Sequence, residues 1–256
     1  MSAAKLIPQE KVSACLDTVK HRLAHSLTRT NLFAAALSLA LSISNIALTP
    51  SVVSACNCSE VKVPETEPSD INPSEGYKWS FTPERDNEFR DAIKKAKDFC
   101  IEYKQKHPNE YLAIISDIDE TVLDNRECLK TFAKDKWAAF FAWIDEARAP
   151  KLKDSAEFLQ WARDNGFFVF FITGRHEKDR SFTIVNLNRQ GFNYDGLYLR
   201  APDDNRDAEI YKTEVREQIE KMGFVIVENI GDQLSDLARG HSADCQKLPN
   251  RMYFIR

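Results

Sequence analysis

Three segments of this 256-residue chain share one pattern, and that pattern restricts the fold more than any other feature. In each, a helical stretch ends at a glycine (Gly166, Gly191 or Gly223) that phenylalanine and an apolar run follow. Each glycine suits the left-handed cap that ends a helix. The runs after the first and third glycine, FVFFI and VIV, are typical of strands buried on both faces. Alternating helices and buried strands predict a parallel sheet with right-handed crossovers.

The predicted fold class is therefore a three-layer α/β domain with a central parallel sheet. Phe89 and Tyr103 bound an earlier helix, whose apolar residues recur every three or four positions and which ends at His107 before a proline. The predicted strands lie at about 111–116, 168–172, 196–200 and 224–229, with a further candidate at 252–255. In such folds ligands bind beyond the carboxyl ends of the strands.

The first part of the chain differs in character from the rest. Basic residues between Lys20 and Arg29 precede an apolar stretch from Leu32 to Leu48, and small residues follow, as in a secretory signal. The string VSAC, which ends at Cys56, also resembles the bacterial lipobox, in which the cysteine is lipidated. Residues 1–58 are thus predicted to be a leader or a membrane anchor. The alternatives are an uncleaved anchor, because the apolar stretch is near the lower limit for spanning a bilayer, and a buried helix.

Residues 59–82 are rich in Pro, Glu and Ser, which predicts a flexible linker before a folded domain at 83–256. If the chain is exported, two of the widely spaced Cys100, Cys128 and Cys245 could form a disulfide, and sequence cannot choose which. No zinc site is implied.

Composition excludes several classes of protein. A hydrophobic content of 43% is enough to bury a core. The net charge of −4 argues against a nucleic-acid-binding surface. The chain also has neither a Walker-type glycine loop nor a G-x-G-x-x-G turn, so a P-loop or dinucleotide-binding role has no support.

Polar residues follow the predicted strands at their carboxyl ends. They are Asp117, Asp119, Thr173, Gly174, Asp232 and Asp236. One acidic loop would be read as solvated surface, but two acidic ends and one hydroxyl end at one sheet edge indicate a site. Asp117, Asp119 and Asp232 offer oxygen ligands of the kind that Mg²⁺ prefers. A divalent cation would also offset the repulsion among clustered carboxylates.

The strings DIDETVLDN, FFITGR, YKTEVR, NIGDQLSDL and KLPNRMYFI together resemble the haloacid dehalogenase superfamily. They are most similar to its class B/C acid phosphatase branch, which includes bacterial lipoprotein acid phosphatases, plant acid phosphatases and vegetative storage relatives. The resemblance covers roughly 85–256. It implies a HAD-like domain with a small helical cap at about 126–150, inserted after the first motif.

The resemblance also implies roles for the motif residues. Asp117 would be the nucleophile that forms an aspartyl-phosphate. Asp119 would act as acid and then base, and its backbone carbonyl would reach the metal. Thr173 and the Gly174 amide would bind a phosphoryl oxygen. Lys212 would neutralise the phosphoryl charge and restrain the nucleophile.

Asp232 would be the side-chain ligand from the fourth motif, with Asp236 in support through a water. Glu120 and Asp124 are expected to be solvated or to lie behind the ligands, and Asn125 to shape the loop. Arg175 and His176 could touch the leaving group. The structural alternative for His176 is an ordinary loop histidine. For Arg180 it is a salt-bridge partner on a helix.

Four aromatic residues make the cap segment strongly apolar: Trp137, Phe140, Phe141 and Trp143. They form the core of the cap, or one or two of them stack on the base of a nucleotide.

The predicted function is that of an exported, lipid-anchored, Mg²⁺-dependent phosphomonoesterase. Its substrates would be small phosphate monoesters, among them nucleoside monophosphates. One alternative is a catalytically silent storage or binding protein of the same fold, which loses weight because this chain keeps all five motif residues. Another is a phosphotransferase that uses an acceptor other than water.

Overall fold

A computed structural model describes residues 57–130 and 136–256. Residues 1–56 of the predicted leader, Cys56 among them, lie outside these ranges, as does part of the predicted cap. Among the described residues, no helix combines the length and the apolar character that crossing a bilayer requires.

The centre of the domain is one parallel sheet of five strands. They are β1 (Leu112–Ser116), β2 (Phe168–His176), β3 (Gly196–Arg200), β4 (Val225–Gly231) and β5 (Asp244–Lys247). Their order is β3-β2-β1-β4-β5, with Ile115 of β1 opposite Phe170 on one side and Asn229 on the other. The prediction of a three-layer α/β fold with a parallel sheet is confirmed.

Helices cover the sheet. They are α1 (Pro73–Trp79), α2 (Pro83–Lys106), α3 (Lys136–Glu146), α4 (Lys153–Asp164), α5 (Arg180–Arg189), α6 (Ala208–Lys221) and the short α7 (Leu234–Leu237). The chain moves outward from β1 to β3 and then returns to β4. Right-handed crossovers therefore put α6 on the opposite face of the sheet from α4 and α5.

Local sequence explains where these elements begin and end. α2 starts at a proline, and the Thr82 hydroxyl caps it by accepting the Arg85 N–H at 3.4 Å. Gly166, Gly191 and Gly223 have φ of +82°, +79° and +94°, so the predicted left-handed caps are confirmed. Every residue of β1 is buried, as expected for a central strand with helices on both faces.

The prediction of a strand at 252–255 is wrong. The last strand is the polar β5, which pairs along β4 with Asp244 opposite Glu228 and Lys247 opposite Gly231. An edge strand needs no continuous apolar run, so periodicity did not reveal it. Met252 and Tyr253 are apolar for another reason, because they pack with Leu129 in a small separate cluster.

The segment predicted as a flexible linker contains ordered structure. α1 begins after Asn72, whose side chain accepts the Glu75 N–H, and it lies against the C-terminal segment of the chain. A Cβ added to Gly76 would lie 1.8 Å from the Arg251 carbonyl oxygen, so glycine is needed at this contact. The composition of 59–82 did not reveal this helix because its stability comes from tertiary packing.

The three candidate cysteines, Cys100, Cys128 and Cys245, do not pair with one another. Cys245 on β5 bonds instead to Cys58, with the two Cα atoms 6.0 Å apart, across 187 residues of sequence. Cys58 lies in the 3₁₀ turn Asn57–Glu60, which packs beside β5. Cys100 and Cys128 are free thiols.

Candidate active site

The carboxyl end of β1 places Asp117 beside a lysine from a distant helix. The Asp117 N–H donates to the Ile230 carbonyl at 3.0 Å, which continues the β1–β4 pairing by one residue. Its side chain is buried, and Lys212 Nζ lies 2.6 Å from Asp117 Oδ1. Lys212 lies on the buried face of α6, a face that runs from Ala208 to Ile219.

Asp232 and Asp236 come from the end of β4 and from α7. Together with Asp117 they form a carboxylate cluster, in which one oxygen of each residue lies within 4.8 Å of the others. Lys212 Nζ also donates to Asp236 Oδ1 at 2.6 Å, while the Gln233 N–H donates to Asp236 Oδ2 at 2.8 Å. Lys212 therefore bridges the first and fourth motifs.

Gly231 allows this close packing. A Cβ at position 231 would lie 2.3 Å from the Asp236 Cβ and 2.4 Å from its Oδ2. No side-chain-bearing residue fits there without moving Asp236. The glycine directly before Asp232 is thus required by the approach of the second aspartate of the motif.

The carboxylate cluster holds more negative charge than its lysine can balance. Burial raises the pKa of Asp117 well above its usual value, against the lowering effect of Lys212, and the neighbouring aspartates raise it further. Burial, with Asp236 next, raises the pKa of Asp232 to about 6. Burial opposes the charged form of Lys212, yet Asp117 and Asp236 together raise its pKa.

The three buried carboxylates, two of which bond to Lys212, are a donor set suited to a hard divalent cation. Magnesium takes one or two carboxylates together with water and substrate phosphate. The charge of such an ion would reverse the cost of gathering these acids in a buried place. The residues present therefore fit Mg²⁺.

Neighbouring side chains orient Asp232. Asn250 Nδ2 and Gln233 Nε2 both donate to Asp232 Oδ2, at 2.6 and 2.7 Å. Oδ1 has a longer contact, 3.4 Å, with the Thr121 hydroxyl. One oxygen is thus held by amides while the other stays available to a ligand.

Asp119 lies in a different environment from the carboxylate cluster. Arg175 donates from Nε to Asp119 Oδ2 at 3.0 Å and from Nη2 to Oδ1 at 2.6 Å. Asn125 Nδ2 adds a bond to Oδ1 at 2.9 Å. The Asp119 side chain, predicted as an oxygen ligand, is therefore engaged by donors and is not part of the cluster.

Thr173 and Gly174 end the predicted second motif on β2. Thr173 is fully buried, and its hydroxyl accepts the Arg175 N–H at 3.2 Å. Gly174 lines the cavity described below, whereas Thr173 is not among the described residues that line it. The structure thus places the glycine at the cavity surface and the threonine just behind it.

One open cavity joins these groups. The predicted residues that line it are Asp117, Asp119, Gly174, Lys212, Asp232 and Asp236. Trp137, Phe140 and Phe141 of α3 line it too, together with Tyr253 from the C-terminal segment. Trp137 and Tyr253 meet edge to face, with ring centroids 6.0 Å apart. Charged groups thus form one part of the lining and aromatic rings another.

The other residues considered from the sequence have clear places. Burial raises the pKa of Glu120, which accepts the Tyr253 hydroxyl and the Asn125 N–H. Asp124 pairs with Arg126, whose Nη2 lies 2.6 Å from its Oδ2. Further sequence candidates were Arg180, which pairs with Glu177, and His176, which lines the cavity.

Sequence reasoning missed the residues that hold the two motif aspartates in place. Arg175 was considered for the leaving group rather than for Asp119. Asn250 lies within the string KLPNRMYFI, which predicted no role for it. The local signal was that both are polar residues inside FFITGR and KLPNRMYFI, two of the strings that carry the family resemblance, and neither string shows which aspartate each residue contacts.

A family model described as HAD superfamily, subfamily IIIB (acid phosphatase), matches residues 43–256. The chain belongs to this family. The resemblance inferred from the five sequence strings is confirmed. Acid phosphatase 1 of Solanum lycopersicum is 41% identical to this HAD subfamily IIIB chain over 152 residues, which are 55% of the chain and 58% of that protein.

The stem 28 kDa glycoprotein of Glycine max is 32% identical over 159 residues, 59% of the chain and 62% of that protein. The HAD subfamily IIIB chain thus spans about three fifths of the length of these two relatives. The class C acid phosphatase from Bacillus anthracis is a solved structure with a TM-score of 0.59. It is 23% identical, covers 70% of this chain and is itself covered to 84%, which shows the shared fold.

Proposed function

We propose that the protein is a Mg²⁺-dependent phosphomonoesterase, an acid phosphatase that acts through an aspartyl-phosphate. The observation that carries the proposal is the position of Lys212, 2.6 Å from both Asp117 and Asp236, inside a carboxylate cluster that faces an open cavity. A buried ammonium beside a nucleophile and a cation site is suited to the charge of a phosphoryl group. Membership of the family supports the same chemistry.

The proposed reaction has two steps. An oxygen of Asp117 attacks phosphorus, the bond from phosphorus to the ester oxygen breaks, and Asp119 gives its proton to the departing oxygen. Asp119 then takes a proton from water as that water attacks the aspartyl-phosphate. The bond between phosphorus and Asp117 breaks, and inorganic phosphate leaves. Lys212 balances negative charge on the phosphoryl oxygens in both steps.

Magnesium, when bound, would supply the positive charge that lets a phosphate dianion approach several carboxylates. Asp117 and Asp232 would hold it through their side chains and Asp119 through its backbone carbonyl. Asp236 would support it through a water, because both of its carboxylate oxygens already accept hydrogen bonds. Gly174 would present its amide to a phosphoryl oxygen, with Thr173 behind it.

We propose small phosphate monoesters as substrates, nucleoside monophosphates among them. Trp137 and Phe141 are 39% and 38% exposed, and both line the cavity with Tyr253. Exposed aromatic faces stack well on a base, whichever base it is. Phe140 and Trp143 are buried, so the cap uses some of its aromatic residues as core and offers others to a ligand.

Hydrolysis of p-nitrophenyl phosphate by the purified full chain tests the proposal. Wild type should release phosphate with Mg²⁺ and lose that activity in EDTA, and Asp117→Asn should be inactive. A folded, Mg²⁺-loaded wild type without turnover would favour the silent storage alternative. Full activity in Asp117→Asn would exclude the aspartyl-phosphate. Product analysis with added nucleosides separates hydrolysis from phosphoryl transfer, and a panel of monoesters ranks the substrates.

We also propose that the protein is exported, with its leader removed or its Cys56 lipidated. The Cys58–Cys245 disulfide supports export because such bonds persist in oxidising compartments. Incorporation of labelled lipid into wild type but not into Cys56→Ala would demonstrate the anchor. If wild type takes up no label, the leader is removed and Cys56 is not lipidated.

A further inference from the structure

Asn125 connects the cap helix to Asp119. It is fully buried and lies six residues after Asp119 in the loop that leads to the cap. Its side-chain Nδ2 donates to Asp119 Oδ1 at 2.9 Å, and its Oδ1 accepts from the indole Nε1 of Trp143, also at 2.9 Å. Trp143 is a buried residue of α3.

The chemistry of the indole fixes the direction of this chain of hydrogen bonds. An indole N–H can only donate, so the carboxamide oxygen of Asn125 must face Trp143. The NH₂ group must then face Asp119, and it can only donate there. Trp143 therefore decides which end of the amide the aspartate meets.

The backbone of Asn125 is held as firmly as its side chain. Its N–H donates to Glu120 Oε1 at 2.9 Å, and its carbonyl accepts the Cys128 N–H at 3.0 Å. A side chain fixed at both ends has little freedom to turn away. The Asn125 amide is thus a rigid support for whatever it contacts.

Asp119 is aimed by two supports from different elements. Arg175, at the end of β2, contacts both carboxylate oxygens, and Asn125 contacts Oδ1 from the cap side. An acid that protonates a leaving group must present its oxygen within hydrogen-bond reach, and a misplacement of about 1 Å can cost on the order of 100-fold in rate.

We propose that Asn125 is a positioning residue for Asp119 and that the cap helix sets the aim of this aspartate through the Trp143 N–H. The inference rests on the proposed function, because it assigns a support to the acid and base of that reaction. It distinguishes Asn125 from a residue that only ties the loop to the cap.

The test is a series of aryl phosphates with leaving groups from phenol to 2,4-dinitrophenol. Asn125→Ala should lower kcat/KM for phenyl phosphate about 100-fold, because phenolate needs the proton of Asp119. It should lower kcat/KM for 2,4-dinitrophenyl phosphate less than about 5-fold, because that anion leaves without a proton. An equal loss along the whole series would overturn the proposal.

Trp143→Phe keeps an aromatic ring in the cap but removes the indole N–H donor. It therefore tests the proposal independently if Asn125→Ala does not fold. It should show the same dependence on the leaving group, with a loss of about 10-fold for phenyl phosphate. The matched control is Trp161→Phe on α4, which should match wild type along the whole series. A Trp143→Phe enzyme that behaves like this control would contradict the proposed role of the Trp143 N–H in positioning Asp119.

A double variant separates this inference from the proposed function. In an Asp119→Asn background, Asn125→Ala should cost less than about 2-fold for phenyl phosphate, since the acid that it positions is already gone. A full additive loss would show that Asn125 acts elsewhere. A wild type without any turnover would instead contradict the proposed function itself.

Discussion

Asp117 and Asp119 are two positions apart in one motif, yet their surroundings are opposite. Asp117 belongs to the buried carboxylate cluster, in which Lys212 bonds to two of the three acids. Asp119 contacts donors, from Arg175 and Asn125, and it lies toward the cap. One side of the site has an excess of negative charge, and the other is already neutralised.

This difference suits the two aspartates to the two roles proposed for them. On the Asp117 side, the uncompensated charge calls for a cation, and a cation prepares that side for a phosphate. On the Asp119 side, the donors fix the geometry of the carboxylate, which suits proton transfer at a set position. The side chains that contact each aspartate in the folded structure, rather than its neighbours in sequence, distinguish Asp117 from Asp119.

The largest expected effect is on the covalent intermediate. With 2,4-dinitrophenyl phosphate, Asp117→Asn should lose at least about 10³-fold in turnover and form no phosphoenzyme. Asp119→Asn should still form it, because this leaving group needs no acid, and should then accumulate it for lack of a base. Acid-quenched incorporation of radiolabelled phosphate measures both. Equal labelling of the two variants would contradict the difference in role between Asp117 and Asp119.

The next effect is on metal binding. Asp232→Asn should weaken Mg²⁺ binding about 100-fold, whereas Asp119→Asn should change it less than about 5-fold, since its carboxylate lies outside the cluster. Titration calorimetry measures both affinities without turnover. At about 100 times its Kd, Mg²⁺ should add about 2.7 kcal/mol to the unfolding free energy of wild type relative to EDTA. A similar gain in Asp232→Asn would contradict the assigned ligand.

A smaller effect should come from Asn250, which lies outside the motifs that contain the aspartates. Its amide holds Asp232 Oδ2 at 2.6 Å, so Asn250→Ala should weaken Mg²⁺ binding about 10-fold. The leaving-group dependence should stay that of wild type, because Asp119 keeps its own supports. The exposed Asn188 offers the matched control, Asn188→Ala, in which Mg²⁺ affinity should be unchanged. Unaltered affinity in Asn250→Ala would show that Asp232 needs no orientation from the C-terminal segment.

The smallest effect concerns Glu228, a fully buried carboxylate of β4 whose Oε1 accepts the Asn229 N–H at 3.1 Å. Burial raises its pKa well above 4.5, and its Oε2 has no hydrogen-bond partner among the described residues. Between the unfolded and folded pKa values the native state binds more protons, so its stability falls as pH rises above about 4.5. Glu228→Gln removes this loss.

Thermal unfolding of Glu228→Gln should therefore give a Tm about 3 °C above wild type near pH 7.5 and the same Tm near pH 4. The exposed Glu102 of α2 provides the control, since Glu102→Gln should change neither value. A Tm gain that is the same at both pH values would show that the glutamine acts through packing rather than through the charge.

Much of the fold follows from local patterns. The predicted strand at 196–200 coincides with β3, and those at 111–116 and 224–229 differ from β1 and β4 by no more than two residues at either end. Buried strands and glycine-capped helices leave a signal within ten or fifteen residues, because the burial of each element is periodic. β5 and α1 left no such signal, since an edge strand is half solvated and α1 gains its stability by packing on Arg251.

The sequence by itself determined the parallel α/β architecture, and it placed acidic and hydroxyl residues at the carboxyl ends of the strands. Only the tertiary structure decided which groups each aspartate meets. Arg175 reaches Asp119 across 56 positions, Lys212 reaches Asp117 across 95, and Tyr253 reaches Glu120 across 133. Periodicity reports which face of an element is buried, but the partner of a side chain depends on how distant elements pack, and local sequence does not record that.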